Sequence, residues 1–208
     1  MRRYITEFIG TFFLVMVIGL TVRGGAGDMA PVAIGAVLMT MIYAGAHVSG
    51  AHYNPAVSVA ILIRKRVAFN EAIIFIVFQV IAAVAAAFVV NYFLGDAAVT
   101  PQPNANNIKA LLAEIIGTFA LAYVILNVAT ASANTGNNYY GLAIGFTVAS
   151  MAYAFGPISG GAFNPAVAIG ACFMKMIAWS DIWIYLVGCF GGAILAAIVF
   201  LMNNPTDK

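Results

Sequence analysis

SGGAFNPAVAIG at residues 159–170 repeats, with few changes, SGAHYNPAVSVA at residues 49–60, and both place Asn-Pro-Ala inside strongly apolar sequence. Asparagine is a favoured N-cap residue because its side-chain oxygen accepts a main-chain N–H, and proline is favoured at the first helical position. Each tripeptide therefore predicts the start of a helix, over 54–63 and 164–174. Both runs are too short to cross a hydrocarbon core of about 30 Å, so we predict two re-entrant half-helices.

The composition places the rest of the chain in a bilayer. Of 208 residues, 63% are hydrophobic and 8% are charged, and the mean hydropathy is +1.00. In soluble domains about a quarter of the residues are charged. A net charge of +2 gives no reason to expect nucleic-acid binding. Six apolar runs are long enough to span a membrane, at about 4–22, 30–48, 71–94, 110–130, 140–157 and 181–202.

The first apolar run and the basic residues predict the topology. The first run is longer than the apolar core of a signal peptide, so we expect it to be retained as a span. With the N-terminus inside, six Lys and Arg residues fall on the cytoplasmic side and three outside. This bias favours cytoplasmic N- and C-termini. We expect a multi-pass protein of the plasma or inner membrane, in contact with lipid.

The two halves of the chain repeat each other. EFIGTFFL at 7–14 matches EIIGTFAL at 114–121 in six of eight positions, and the Asn-Pro-Ala segments recur at an offset of 110. Each repeat holds three spans, so the second crosses the membrane in the opposite direction to the first. We predict an all-α membrane protein with one channel domain over 1–208, built from inverted three-helix repeats at about 4–94 and 110–202.

Two opposed half-helices predict a pore. A helix N-terminus carries about half a positive charge, so two of them at one point oppose the passage of cations and hydronium. The amides of Asn54 and Asn164 are suited to bond a passing oxygen and to interrupt a proton-conducting chain. We expect the Ser-Gly pairs at 49–50 and 159–160 to form extended segments whose carbonyls face the water-filled path.

Over essentially its whole length the chain resembles the aquaporins and aquaglyceroporins, the major intrinsic protein family. The resemblance is carried by the SGAHYNPAV and SGGAFNPAV segments and by the E-x-x-G-T-F motif near the start of each repeat. It implies the aquaporin fold, a homotetramer with one pore in each subunit, and passive transport without a cofactor. It also implies that the pore residues are Asn54, Pro55, Ala56, Asn164, Pro165 and Ala166.

The resemblance further implies a second constriction, the selectivity filter, and here the sequence departs from the family pattern. An Arg usually follows the second Asn-Pro-Ala, whereas this chain has Val167. The family spacing assigns Ile34, Ala152 and Gly161 to the other three positions. Such a ring has no charge and no side-chain hydrogen-bond donor. Its small residues favour solutes of glycerol or urea size, while its apolar wall favours dissolved gas or ammonia, or a dewetted gate.

Five further residues require an interpretation. Glu7 and Glu114 are expected to support the half-helix loops, as the family's matching glutamates do, with a proton relay as the alternative. His52 is expected to brace its loop by hydrogen bonding, with pore lining or a pH gate as alternatives. Cys172 and Cys189 lack metal-type spacing, which favours packing thiols over a disulfide.

Other classes of function fit the sequence less well. An intramembrane enzyme would need a nucleophile and a base, and the second half contains no histidine to pair with Ser159. Secondary transporters also use inverted repeats, but no acid beyond the two loop glutamates is near the Asn-Pro-Ala segments to couple an ion. A purely structural protein of membrane junctions is a further alternative. We predict a passive channel for water and small neutral solutes, with no enzymatic activity, cofactor or metal.

Overall fold

The computed structural model describes residues 1–95 and 106–207. Within these ranges the chain is helical and contains no strand, which confirms the predicted all-α class. A π-helical turn over Leu126–Thr130 extends the fifth helix. The α-helices are α1 Arg2–Arg23, α2 Ala30–Ser49, α3 Pro55–Ile63, α4 Phe69–Leu94, α5 Asn107–Ile125, α6 Tyr140–Ser159, α7 Pro165–Phe173 and α8 Ile182–Asn203.

Six of these helices are long and apolar enough to cross a membrane, whereas α3 and α7 have nine residues each. At about 1.5 Å per residue, a nine-residue helix reaches roughly halfway through the hydrocarbon core. Large apolar side chains such as Phe88 and Phe146 are exposed on the outer faces of the spans. These faces suit lipid rather than water. The chain is therefore a multi-pass membrane protein with six spans and two half-helices.

The two repeats pack in the same way. α1 packs on α2 and α4, while α5 packs on α6 and α8, and the two bundles meet where α2 contacts α6. Each half-helix also crosses into the other repeat, because α3 packs on α8 and α7 packs on α4. This interlocking brings the N-termini of α3 and α7 together in the interior of the molecule.

Small residues permit the close approach of α2 and α6. A Cβ atom placed on Gly35 would lie 2.5 Å from the carbonyl oxygen of Gly145, and a Cβ on Gly145 would lie 2.5 Å from that of Gly35. Close helix contacts between small residues are typical of membrane bundles. This contact joins the two repeats.

The glycine of each E-x-x-G-T-F motif accommodates an aromatic ring. A Cβ on Gly10 would lie 2.2 Å from the ring of Tyr53, and one on Gly117 would lie 2.2 Å from the ring of Phe163. Tyr53 and Phe163 directly precede the two Asn-Pro-Ala segments, and both are buried. The glycine of each motif thus leaves room for the ring that lies just before each half-helix.

Candidate functional site

Asn54 caps the first half-helix and contacts the second. Its Oδ1 accepts hydrogen bonds from the main-chain N–H groups of Ala56, at 2.9 Å, and Val57, at 3.4 Å. Its Nδ2 donates to the carbonyl oxygen of Phe163 at 2.9 Å. Pro55 occupies the first helical position, as the sequence predicts. One N–H of the Asn54 amide is thereby used between the repeats, and the second is available to a solute.

Asn164 repeats this arrangement from the opposite side. Its Oδ1 accepts from the N–H groups of Ala166, at 2.9 Å, and Val167, at 3.4 Å. Its Nδ2 donates to the carbonyl oxygen of Tyr53 at 2.9 Å, and Pro165 is the first residue of α7. The two reciprocal bonds hold the N-termini of the half-helices against each other, and each uses one of the two N–H bonds of its amide.

The Ser-Gly pairs are placed differently from the prediction. Ser49 and Ser159 are the last residues of α2 and α6, so the expectation that they belong to extended segments is wrong. Gly50 and Gly160 have left-handed φ values of 91° and 88°, which glycine adopts at low cost. The Ser49 hydroxyl bonds both locally and across the bundle: its Oγ accepts from Ala51 N at 3.0 Å and donates to Glu7 Oε1 at 2.6 Å.

Glu7 holds the loop before α3 from the interior of α1. Its carboxylate, which is fully buried, accepts hydrogen bonds from Ser49 Oγ at 2.6 Å, His52 N at 3.0 Å, Tyr53 N at 2.7 Å and Gln79 Nε2 at 2.8 Å. Main-chain N–H groups at this depth need such partners because lipid offers none. Glu7 therefore contacts the loop as expected, and the sequence did not reveal its contact with Gln79.

Glu114 makes the corresponding contacts in the second repeat. It accepts from Ser159 Oγ at 2.7 Å, Ala162 N at 3.0 Å and Phe163 N at 2.7 Å. In place of a glutamine amide, Cys189 directs its Sγ at Glu114 from 3.6 Å. In both repeats the glutamate accepts from one serine hydroxyl and two main-chain N–H groups. The fourth partner is Gln79 in the first repeat and Cys189 in the second.

The four predicted filter residues line one cavity that extends from the asparagine pair away from the two chain termini, and we call it the outer cavity. Its volume is about 650 Å³, and Asn54 and Asn164 line it as well. Ile34 and Val167 are buried, while Ala152 and Gly161 are half-buried. Ile34, Ala152, Gly161 and Val167 thus all line one cavity, whose wall is dominated by aliphatic side chains.

A second cavity of about 660 Å³, the inner cavity, lies on the side of the chain termini, where Arg3 lines it. It shares Ile42, Ala51 and His52 with the outer cavity, so the two spaces meet beside the half-helix junction. Its wall includes Arg3 and Arg66 and is more polar than that of the outer cavity. The two cavities together outline a path through the molecule that passes the Asn-Pro-Ala segments.

The outer mouth contains polar residues that the sequence did not indicate. Arg23 and Asp28 line the outer cavity. Arg23 donates to Asn91 Oδ1 at 2.5 Å and to the carbonyl oxygen of Gly95 at 2.9 Å. Tyr153 donates its hydroxyl to the main-chain oxygen of Asp28. In the sequence, Arg23 counts only as a charge at the end of a span, because its partners are distant along the chain.

Asp207 ties the C-terminal segment to the loops that follow α3 and α5. It accepts from Ser132 Oγ at 2.6 Å and Ser132 N at 2.9 Å, and it pairs with Arg64 at 2.7 Å and Arg66 at 3.6 Å. The hydrogen bonds from Ser132, with a smaller contribution from Arg64, hold the pKa of Asp207 below its ordinary value of 3.8. Arg64 itself is buried, and its guanidinium lies over the ring of Phe200.

No group of three His, Cys, Asp or Glu residues suited to a metal ion occurs in residues 1–95 and 106–207. Cys172 and Cys189 are both free and buried. Both thiols lie among packed side chains, and Cys189 belongs to the same apolar cluster as Ala193 and Phe200.

Six spans, two half-helices and paired capping asparagines define a membrane channel rather than an enzyme. The sequence model of the Major intrinsic protein family matches residues 1–200, and the chain belongs to this family. It is a channel for water and small solutes.

Known relatives and a solved structure agree with this assignment. A protein of Lactiplantibacillus plantarum described as "Glycerol uptake facilitator protein-like 6" is 38% identical, with both chains fully covered. "Probable aquaporin NIP4-2" of Arabidopsis thaliana is 33% identical over all of this chain and 76% of its own length. The aquaglyceroporin from Plasmodium falciparum matches the fold with a TM-score of 0.82 and 23% identity, covering 96% of this chain and 94% of that one.

Proposed function

We propose that this channel conducts water together with neutral solutes of glycerol or urea size. The observation that carries the proposal is the outer cavity, which is lined by Ile34, Ala152, Gly161 and Val167, four residues without a charge or a side-chain donor. Two of the four residues are glycine and alanine, which leave more room than a ring containing arginine. The relative from Lactiplantibacillus plantarum, described as similar to a glycerol uptake facilitator, supports the same substrate class.

Ion exclusion rests on the half-helices in this proposal. The N-termini of α3 and α7 meet at Asn54 and Asn164, so two positive dipole ends face one point of the path. Because Val167 supplies no charge, these dipoles are the main barrier to cations at the constriction. The free amide N–H of each asparagine bonds the oxygen of the passing molecule and orients it.

The apolar filter also supports a second candidate, conduction of ammonia or dissolved gas. Transfer past aliphatic walls costs a small apolar molecule less than it costs a polyol, which loses hydrogen bonds to water. As further parts of the proposal, Glu7, Glu114 and His52 support the half-helix loops. The protein forms a homotetramer in the plasma or inner membrane, with both termini in the cytoplasm.

Stopped-flow light scattering of reconstituted vesicles tests the proposal under separate gradients of water, glycerol, urea and ammonia. We expect rapid glycerol and urea flux in the native channel and a loss of at least tenfold in Val167→Arg, which narrows and charges the ring. Val167→Leu serves as the control because it adds bulk without charge or donors. Ammonia flux without glycerol or urea flux would support the second candidate and overturn the first.

Proton flux in the same vesicles tests the ion barrier. Because the native filter lacks a fixed charge, we expect proton leakage through Val167→Arg to be lower than through the native channel. If leakage is undetectable in both proteins, the absence of arginine has no bearing on proton exclusion.

A further inference from the structure

We propose that the main-chain carbonyl oxygen of Tyr153 is a specificity-determining group of the outer cavity, where it accepts a hydrogen bond from the passing solute. Pro157 frees this oxygen, because proline has no main-chain N–H to bond it. The inference deepens the proposed channel function and rests on it. It places a hydrogen-bond acceptor beside filter side chains that offer none.

Pro157 lies inside α6, two residues before the last residue of the helix. In an α-helix each carbonyl oxygen accepts from the N–H of the residue four positions later. Because the nitrogen of Pro157 carries no hydrogen, the carbonyl of Tyr153 has no helical donor. Beyond the proline the helical pattern continues, since Gly160 N donates to the carbonyl oxygen of Gly156 at 2.9 Å. One carbonyl in the body of α6 is therefore left unused.

No other protein donor replaces the missing one in residues 1–95 and 106–207. The main-chain hydrogen bonds outside the helices include none to the carbonyl oxygen of Tyr153. The side chain of Tyr153 is itself a donor, because its hydroxyl bonds the main-chain oxygen of Asp28. A carbonyl without a protein partner inside a membrane protein needs water or another polar molecule. This carbonyl is therefore expected to contact whatever occupies the path.

The outer cavity is the space beside this carbonyl. A helical carbonyl points toward the residues three and four positions later, which for Tyr153 are Gly156 and Pro157. Both residues line the outer cavity, and so does Tyr153. Gly156 has no side chain to cover the oxygen, and a Cβ atom placed there would have nothing within 4 Å. The acceptor is thus open to a solute, one residue along the chain from Ala152 of the predicted filter.

The first repeat lacks this arrangement. At the offset of 110, Tyr43 corresponds to Tyr153 and His47 to Pro157. Histidine keeps its main-chain N–H, so the carbonyl of Tyr43 retains a helical donor within α2. The free carbonyl therefore belongs to the outer half of the path, on the same side of the asparagine pair as Val167.

The consequence concerns the class of solute. A polar molecule that passes aliphatic side chains loses hydrogen bonds to water, and one fixed acceptor restores part of that loss. Water, urea and polyols donate through O–H or N–H groups and gain this bond at Tyr153. They then accept from the amides of Asn54 and Asn164. Dissolved gases without a donor gain nothing at Tyr153.

Replacing Pro157 by alanine removes the acceptor without adding bulk, because the restored N–H bonds the carbonyl of Tyr153 within the helix. In urea-gradient light scattering of vesicles, we expect the urea flux of Pro157→Ala to be about threefold to tenfold lower, the effect of one hydrogen bond. The same variant should unfold at a higher temperature, because proline is unfavourable inside a helix. A purely structural role of Pro157 would instead lower stability and flux together.

Pro31→Ala is the matched control. Pro31 lines the same cavity but is the second residue of α2, where N–H groups have no acceptor within the helix. We expect this variant to keep the native urea flux. Native flux in Pro157→Ala, or an equal loss in Pro31→Ala, would overturn the inference. Absence of urea flux in the native channel would instead refute the substrate class of the proposed function.

Solid-state nuclear magnetic resonance on the full-length channel in lipid tests the contact without any flux. Labelling with ¹³C-carbonyl tyrosine and ¹⁵N-alanine selects two Tyr-Ala pairs, Tyr43–Ala44 and Tyr153–Ala154, and Tyr43→Phe assigns them. We expect faster magnetisation transfer from water hydrogens to the carbonyl of Tyr153 than to that of Tyr43. Pro157→Ala should remove the difference. Equal transfer to both carbonyls in the native protein would overturn the inference.

Discussion

Replacing Glu7 by glutamine removes one hydrogen-bond acceptor from the site that holds the first half-helix loop. The carboxylate accepts four hydrogen bonds, two of them from the main-chain N–H groups of His52 and Tyr53. A glutamine has one acceptor oxygen, and its NH₂ group must face one of the two main-chain donors. At least one buried N–H is then left without a partner.

The size of the effect follows from the number of contacts. One unpaired buried donor costs about 1–3 kcal/mol, and each remaining bond loses about 1 kcal/mol when its acceptor is no longer charged. With two bonds remaining at the glutamine oxygen, we expect the loop to be destabilised by about 3–5 kcal/mol. That corresponds to an opening equilibrium shifted by roughly 100-fold or more.

Hydrogen exchange followed by mass spectrometry in nanodiscs reports this opening. We expect the amides of His52 and Tyr53 to exchange at least 100-fold faster in Glu7→Gln than in the native channel. Glu71→Gln is the control, because it removes a carboxylate that pairs with Arg3 outside the loop. Unchanged protection of the loop amides in Glu7→Gln would show that Glu7 does not hold the loop.

Two further predictions concern the packing at Gly10 and the contact between Asp207 and Ser132. Gly10→Ala should lower the midpoint of thermal unfolding, because the added methyl group would lie 2.2 Å from the ring of Tyr53. The ring cannot move away freely, since its hydroxyl donates to the main-chain oxygen of Met41. We expect the free energy of unfolding to fall by about 1–3 kcal/mol. The contact between Asp207 and Ser132 should weaken under acid, because it stabilises the charged carboxylate and so lowers the pKa of Asp207. This stabilisation is complete above pH 3.8, the ordinary pKa, and is lost as the pH falls through the lowered pKa of the folded protein. The Ser132 amide shift should titrate with a midpoint below 3.8.

Each of these predictions has a control and a contradicting result. Gly191→Ala adds a methyl group with nothing within 4 Å, so a loss of stability equal to that of Gly10→Ala would contradict the steric explanation. Asp207→Asn does not titrate, and its Ser132 signal should stay constant under acid. A native midpoint at or above 3.8 would mean that Ser132 does not stabilise the charged carboxylate.

Local sequence was sufficient to predict the half-helices. An N-cap asparagine followed by proline determines a helix start through contacts within three residues, and Asn54 and Asn164 make those contacts. The repeated motif and the apolar run lengths predicted six spans and the inverted arrangement. The positions of Glu7 and Glu114 relative to their loops were expected from the family resemblance rather than from local sequence.

Contacts between distant residues were not predictable in the same way. Gln79 and Glu7 are separated by 72 positions, and Arg64 and Asp207 by 143. Neither pair has a local pattern, because the contact depends on how the interlocked repeats place two helices. The prediction of an extended segment at Ser49 is wrong for a similar reason. The Ser49 hydroxyl contacts Glu7 on another span, and the local sequence does not reveal this contact.

The most direct test of a passage that admits neutral molecules and repels charge is a paired recording on vesicles containing the native protein. Glycerol-driven reswelling and the signal of an enclosed pH-sensitive dye are followed together under opposed glycerol and proton gradients. We expect reswelling much faster than in protein-free vesicles, with a dye signal close to that of the protein-free background. Rapid acidification alongside glycerol entry, or reswelling no faster than the lipid alone permits, would contradict the role assigned to the opposed half-helices.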